Sequence, residues 1–446
     1  MEECGVFGIH NFSFNKNTIK NTVYGLSKLQ HRGVESCGIG YFIENQEYIH
    51  KKIGLVKDSL LLDYPVDINI KSCIGHVRYS TSGKSKNDDK QKLLESQPLF
   101  GTCKLGKFLI AHNGNIPNIK THDTQYILNF IEQSKYNTWI DILTSLMKTI
   151  KGVYCLLILT DTEFYVMRDR FGVRPLCIAK SNLGWCVSSE STAIGGYEFY
   201  RNINPGEIVR LNDNSSYQIY NIKNTSACVF EFMYFMMNDS ISDNYKVSDI
   251  RLQYGYELAK NETIKFNRND TIVIGSPNSG IQSGIGYAKF LNLRYEQFMK
   301  KRPKSQRTFI LPNNNDRIVA CRNKFIINSE YVKDKVIILI DDSIVRGNTI
   351  NAIIQLFREC NVKEIHVRIS SPPIKNPCYF GVDFPSYNEL IAYNKNIDEI
   401  KDKVGCDSLK YLNIDNVYNV MKENGDHIKF CGACFDGKYN KELLDW

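Results

Sequence analysis

VIILIDDSIVRGNT, residues Val336 to Thr349, decides the fold of the second half of this chain. Val336 to Ile340 is a run of apolar, mostly β-branched residues, the pattern of a strand buried on both faces in a parallel sheet. Asp341 and Asp342 sit where that strand ends, followed by Ser343, Arg346, Gly347 and Thr349. Ile350, Ile353, Ile354 and Phe357 then repeat at helical spacing. A strand, a small polar loop and a helix start make a cradle for phosphate. Backbone N–H groups and the helix dipole favour an anion there, and Gly347 lets the backbone approach it. The acidic pair repels a phosphate but suits vicinal hydroxyls, or a divalent metal carried with a second phosphate. A ligand with both features is a sugar phosphate.

The same strand, loop and helix pattern begins earlier, with Thr271 to Ile274 as a strand, Ser276 to Gly280 as a turn and Ile281 to Phe290 as a helix. Glu364 to Ile369 reads as a further strand. This is the alternation of an α/β sheet that binds ligands at the carboxyl ends of its strands. The Asp341-Asp342 segment resembles the phosphoribosyl diphosphate (PRPP) loop of type I phosphoribosyltransferases. That resemblance implies that the two acids meet the ribose and that Ser343, Arg346, Gly347 and Thr349 line the 5-phosphate. It also implies that the Ser276–Gly280 turn cradles the pyrophosphate, with Ser279, Asp341 and Asp342 facing Mg²⁺. Asn278 stands where the family usually has Asp. Lys300, Arg302 and Arg307 resemble the loop that closes over PRPP, gathering cations on the leaving group and excluding water.

With 446 residues, the chain is long enough for two or three domains. A hydrophobic fraction of 43% describes a globular protein with ample core, and a net charge of +8 is too small and too dispersed to point to nucleic acid. No apolar run is long enough for a membrane span, and no signal peptide is recognisable. A soluble, cytoplasmic protein is expected. Its 14 cysteines are then thiols and metal ligands rather than a disulfide framework.

The N-terminal half alternates strands, such as Ser36 to Ile43, Lys107 to His112, Tyr154 to Leu159 and Phe164 to Met167, with helices near Ile19 to Leu29, Thr124 to Ile131 and Trp139 to Ile150. An α+β layered domain over residues 4–226 is expected, followed by the α/β domain over 227–446. Cys4 begins the strand-like Cys4-Gly5-Val6-Phe7-Gly8-Ile9. With residues 1–3 removed as a propeptide, Cys4 would carry both a thiol nucleophile and an α-amine able to act as its base. Alone, this is a weak signal, because a cysteine is also an ordinary small hydrophobe.

Three further segments follow in order: Gln30-His31-Arg32-Gly33-Val34-Glu35-Ser36, Gly75-His76-Val77-Arg78-Tyr79 and Ala111-His112-Asn113-Gly114-Asn115. With Cys4 they resemble the N-terminal-nucleophile (Ntn) glutamine amidotransferases. The resemblance implies that Cys4 is the nucleophile and that Arg78 clamps the glutamine α-carboxylate, for which a fork of donors is suited. It implies that Asp123 holds the α-ammonium and Arg32 contributes to glutamine binding. Asn113 and the N–H of Gly114 then form the oxyanion hole. By itself Asn113-Gly114 also reads as a hairpin turn.

Cys431-Gly432-Ala433-Cys434 has ligand-type spacing, and Cys228 and Cys378 precede it in distant segments. Four thiolates suit one [4Fe–4S] cluster or one zinc ion equally well, and a Cys-x-x-Cys pair can also be a redox centre. The remaining cysteines read as structural. From Cys4 to Tyr439 the chain resembles the amidophosphoribosyltransferase family, whose iron–sulfur members use cysteines at these four positions, and this favours iron as a structural staple. The resemblance implies conversion of glutamine and PRPP to 5-phosphoribosylamine, glutamate and pyrophosphate, the entry to purine synthesis. It also implies Mg²⁺, feedback by purine nucleotides and a homodimer or homotetramer. Two alternatives stay open: an amidotransferase with another phosphosugar acceptor, and a catalytically weakened regulatory homologue. Asn278 and Met236-Met237, where the family usually has a more polar Arg-containing stretch, keep the latter in view.

Overall fold

The computed structural model describes residues 4–60, 63–79, 89–119, 122–221, 225–302, 324–382, 384, 386–423 and 428–444. Its N-terminal half is built on two antiparallel sheets. The first holds seven strands in the spatial order Glu198–Asn202, Cys177–Ser181, Gly184–Ser188, Gly5–Asn15, Ile70–Arg78, Ser36–Ile43, Gln46–Ile53. The second holds six, from Ser215–Gln218 through Glu207–Arg210, Phe164–Arg168, Val153–Leu159 and Gly106–Asn115 to Leu99–Cys103.

Strand periodicity explains the layering. Successive side chains point to opposite faces, so Val6 enters the core shared by the sheets with Ile74, Leu109, Leu157 and Val187. Phe7 and Ile9 face the other way, toward Val23 and Leu26 of the helix Thr18–Lys28. On the far side, the helices Asp123–Glu132 and Trp139–Thr149 bury Ile127, Ile131, Ile142 and Leu146 against the second sheet. Helix, sheet, sheet and helix layers result, the α+β arrangement expected.

The other half carries a five-stranded sheet in the order Arg294–Tyr295, Thr271–Gly275, Val336–Asp341, Glu364–Ile369, Ser408–Tyr411, parallel throughout. Ile338 and Ile340 pack with Tyr254 and Tyr287 on one face, while Ile337 and Leu339 pack with Ile353 and Phe357 on the other. Both faces are covered, which is why Val336 to Ile340 reads as a continuous apolar run. Because Gly275 lies beside Ile340 in the register, the Ser276–Gly280 turn and the Asp341-Asp342 loop emerge side by side. Among the described residues, no helix is long and apolar enough to cross a membrane.

Asn113 and Gly114 are not a hairpin turn. They lie inside the strand Gly106–Asn115, opposite Cys155 and Tyr154. Gly114 has φ +154°, and a Cβ there would stand 2.0 Å from the Val153 carbonyl oxygen, so only glycine fits.

Candidate active sites

Cys4 stands at the head of a central strand, whose next residues pair with Val77 and His76. Its thiol donates to the Tyr79 carbonyl at 3.5 Å. The neighbouring sheet presents Asn113, 2% exposed, whose Nδ2 has no partner among the described residues. A buried donor left unmet is costly, and it suits an oxyanion that appears only during reaction. Asp123 opens the helix Asp123–Glu132. Burial pushes its carboxyl up, but His112 close by outweighs that and brings it down to about 2. Asp123 is therefore an anion wherever a substrate ammonium needs one.

Arg78 is engaged at both ends of its fork. It donates to Glu35 at 3.0 Å and to Glu95. A substrate carboxylate would have to displace or share these partners, a requirement invisible in the Gly75–Tyr79 motif.

Arg32, read from the sequence as a contributor to glutamine binding, lies in a buried ion-pair network. Its side chain is 0% exposed and donates to Glu190 at 2.6 Å, to both oxygens of Glu231 at 2.7 and 3.0 Å and to the Cys4 carbonyl at 3.1 Å. It faces these anions and the nucleophile's own backbone. Glu190 also meets His31 at 2.8 Å and accepts from Ser240 and the Met237 N–H, both at 2.9 Å. Burial would raise its pKa, but His31 and Arg32 hold it well below the usual range. Arg174 completes the group, donating to Glu231 at 3.3 Å and to the Phe380 carbonyl at 2.8 Å. The group's two arginines and two glutamates are buried and balance in charge. Removing one member strands a buried charge, at a cost of about 3–5 kcal/mol. Glu190, Glu231 and Arg174 carried no motif, because their partners lie far off along the chain.

In the phosphoribosyl half, Asp341 and Asp342 are both buried, at 8% and 4% exposure. Asp342 accepts from the hydroxyls of Ser279 and, at 2.6 Å, Ser343, so the two loops are joined through it. Burial pushes the Asp341 carboxyl well up, and Asp342 beside it adds to the shift. Two acids so placed fit a bound cation or donating hydroxyls. Gly347, at φ +85°, starts the helix Asn348–Glu359, and a Cβ there would meet the Ile391 side chain at 2.5 Å. The loop thus keeps the shape a phosphate cradle needs.

Arg346 of the phosphate loop is exposed and paired. Its guanidinium turns outward to Glu389, with Nε donating at 2.9 Å. Thr349 is exposed at the loop's edge, and Asn278 is exposed beside Ser279. Lys300 and Arg302 lie exposed where Met299–Lys301 pairs with Phe325–Ile327, while Arg307 lies outside the described residues. Met236 is buried and its carbonyl accepts from Arg251 at 2.7 Å, whereas Met237 is exposed.

The four cysteines converge from three segments. Ala227–Cys228 and Phe430–Cys431 form a two-stranded parallel pair with Cys228 opposite Cys431. The Cys434 carbonyl accepts from the N–H groups of Lys375 and Asn376, both at 3.0 Å. Cys378 follows, its sulfur accepting from Phe380 N–H at 3.4 Å. Burial, then Cys378, Cys228 and Cys431, push the Cys434 thiol well up. Burial and then Cys378 likewise push the Cys431 thiol up. Among the described residues none is drawn into ready-made coordination.

Comparison with known proteins agrees with both halves. Residues 88–195 match the glutamine amidotransferase domain family and residues 243–372 the phosphoribosyl transferase domain family. Amidophosphoribosyltransferases of Methanothermobacter thermautotrophicus and Bacillus subtilis are each 34% identical, over 99% of this chain and 95% of their own. That of Archaeoglobus fulgidus is 34% identical over 98% of this chain and 97% of its own. The structure of glutamine PRPP amidotransferase from B. subtilis complexed with ADP and GMP superposes with TM-score 0.85 at 33% identity, covering 98% and 97% of the two chains. A structure described as the allosteric regulatory enzyme of purine biosynthesis gives 0.86 at 34%, covering 98% and 96%.

Proposed function

This chain belongs to the amidophosphoribosyltransferase family, and from that we propose how its residues divide the work. The reaction is the family's: glutamine, PRPP and water give 5-phosphoribosylamine, glutamate and pyrophosphate, in purine biosynthesis. Cys4 attacks the side-chain amide, forming a glutamyl thioester and releasing ammonia; water then frees glutamate. The α-amine of Cys4 takes the thiol proton, which requires removal of residues 1–3. Asn113 Nδ2 and the Gly114 N–H stabilise the tetrahedral oxyanion, Asp123 holds the α-ammonium, and Arg78 takes the α-carboxylate by exchanging partners with Glu35 and Glu95. Asp341 and Asp342 hold the ribose hydroxyls of PRPP, and the N–H groups from Ser343 to Thr349 take its phosphate. Mg²⁺, when bound, neutralises the pyrophosphate as it leaves.

The observation that carries this reading is the presence in one chain of Asn113's buried, unmet donor on the strand packed against the Cys4 strand and of the buried acidic pair at the end of the parallel sheet. Pyrophosphate release by the pure protein, requiring both glutamine and PRPP, tests it. Release without glutamine or ammonia, or none at all, would refute it and favour a regulatory homologue.

Finer features belong to the same proposal. Purine nucleotide feedback is supported by the B. subtilis complex with ADP and GMP. Exposed Phe12 and Phe14, beside Leu183, suit burial in a homodimer or homotetramer. The described cysteines form no disulfides, which fits a reducing cytoplasm.

We also propose that Cys228, Cys378, Cys431 and Cys434 hold one [4Fe–4S] cluster. When bound, it would tie the 228, 378 and 431–434 segments together and contribute folding free energy. Protein purified without oxygen is expected to be brown, with about four irons per chain. Stoichiometric zinc without iron would overturn this. Cys434→Ser is expected to lower the iron content and the unfolding temperature together.

A further inference from the structure

The strand that carries the oxyanion donors has lost its neighbour where those donors sit. Gly106–Asn115 pairs with Leu99–Cys103 only as far as Ile110 opposite Leu99. Extending that register by two residues would put Gln97 opposite His112, but the chain has turned away at Pro98. The N–H and C=O of His112 would be left unpaired in a buried position, which proteins avoid. Two side chains replace the missing strand. Gln97 Oε1 accepts from the His112 N–H at 2.6 Å, and His76 Nε2 donates to the His112 carbonyl at 3.0 Å. Gln97 Nε2 donates to the Thr124 hydroxyl at 3.0 Å, and that hydroxyl lies 3.2 Å from His112 Nδ1, beside Asp123.

We propose that His76 and Gln97 are positioning residues of the glutaminase, which hold the His112–Gly114 backbone so that the Asn113 and Gly114 donors point at the developing oxyanion. This rests on the oxyanion role proposed above for Asn113 and Gly114. His76 reaches His112 from the sheet that carries Cys4, since it pairs with Val6 one step from the nucleophile's neighbour Gly5. It therefore ties the nucleophile's sheet to the donors' sheet. Gln97 ties the same residue, His112, to the start of the Asp123 helix. His76 is buried and held neutral by burial, then by Arg78 and His112, and the carbonyl facing Nε2 fixes that nitrogen as the one that carries the proton. Oxyanion donors act through placement, and a misplacement of about 1 Å costs on the order of 100-fold in rate.

The test compares His76→Phe, which cannot donate, with His76→Gln, which can, and Gln97→Leu with Gln97→Glu, which keeps an accepting oxygen. The glutamine-dependent rate is divided by the ammonia-dependent rate of the same preparation, so that folding losses cancel. In His76→Phe and Gln97→Leu this ratio is expected to fall about 10- to 100-fold through kcat, with KM for glutamine changing less than about 3-fold. His76→Gln is expected to recover part of the loss. Alkylation of Cys4 by iodoacetamide forms no oxyanion, and its rate is expected to fall far less than kcat. If kcat and alkylation fall in parallel, or the ratio is unchanged in either apolar variant, the positioning role is wrong. Should His76→Phe fail to fold, the Gln97 pair decides by the same criteria. Asn113→Ala separates the two levels. If it leaves kcat intact, the oxyanion reading itself falls; if it lowers kcat while the His76 and Gln97 variants do not, only the positioning proposal falls.

Discussion

Cys4→Ala is expected to remove glutamine-dependent synthesis almost completely, by on the order of 10⁴-fold or more, as when other hydrolases lose their nucleophile. Among the described residues, none near Cys4 offers a replacement nucleophile. The described residues around Cys4 supply a carbonyl acceptor at Tyr79, the Arg32 guanidinium and the buried amide of Asn113, none of them a nucleophile. Synthesis from added ammonia at high pH should persist, because the acidic pair sits on a separate sheet. Cys4→Ser keeps a weaker nucleophile and is expected to leave only traces of glutamine use. Glutamine-dependent turnover in the alanine variant would refute the assignment. The same chemistry requires the Cys4 α-amine, so the intact mass of active protein is expected to correspond to a chain starting at Cys4. Fully active protein still carrying residues 1–3 would refute that requirement.

Asp341→Asn and Asp342→Asn are each expected to weaken PRPP use about 10- to 100-fold, the scale of one hydrogen bond to a charged group. Stability should respond differently. Burial, then the adjacent Asp342, raises the Asp341 pKa in the folded protein. For an acid whose folded pKa is raised, the folded state holds more protons than the unfolded one, so stability falls as pH climbs from the ordinary carboxylate range to the raised value. Asp341→Asn removes that loss, and the unliganded variant should melt no lower than the parent near neutral pH. A residue that merely capped the helix would behave otherwise, costing about 1 kcal/mol of stability when replaced and nothing in affinity. Unchanged apparent PRPP affinity and synthase rate in both variants would overturn the phosphoribosyl reading of this half.

Much of the architecture was readable locally. Strands and helices fell within one to three residues of their expected limits, as with Ser36–Ile43, Glu364–Ile369 and Trp139–Thr149. In these segments the apolar period matches the burial finally achieved. For the site, continuous motifs placed Asp341-Asp342 and Ser279 on neighbouring loops, and the structure brings these together. Side-chain direction was not legible there. Arg32 and Arg346 have the charge their motifs suggest, yet one turns to Glu190 and Glu231 and the other to Glu389.

By itself, the sequence determined the strand–acid pair–loop–helix unit, the layered half before it and the residue types available for chemistry. Periodicity and turn residues act over a few positions, and those are written in order along the chain. Only the tertiary structure decided which charges meet. Arg32 and Glu231 are 199 residues apart, and His76 reaches the His112 carbonyl across two facing sheets. Such pairs form because packing two sheets and a third across them leaves buried donors and acceptors that must be satisfied, and no local pattern says which distant partner will do so.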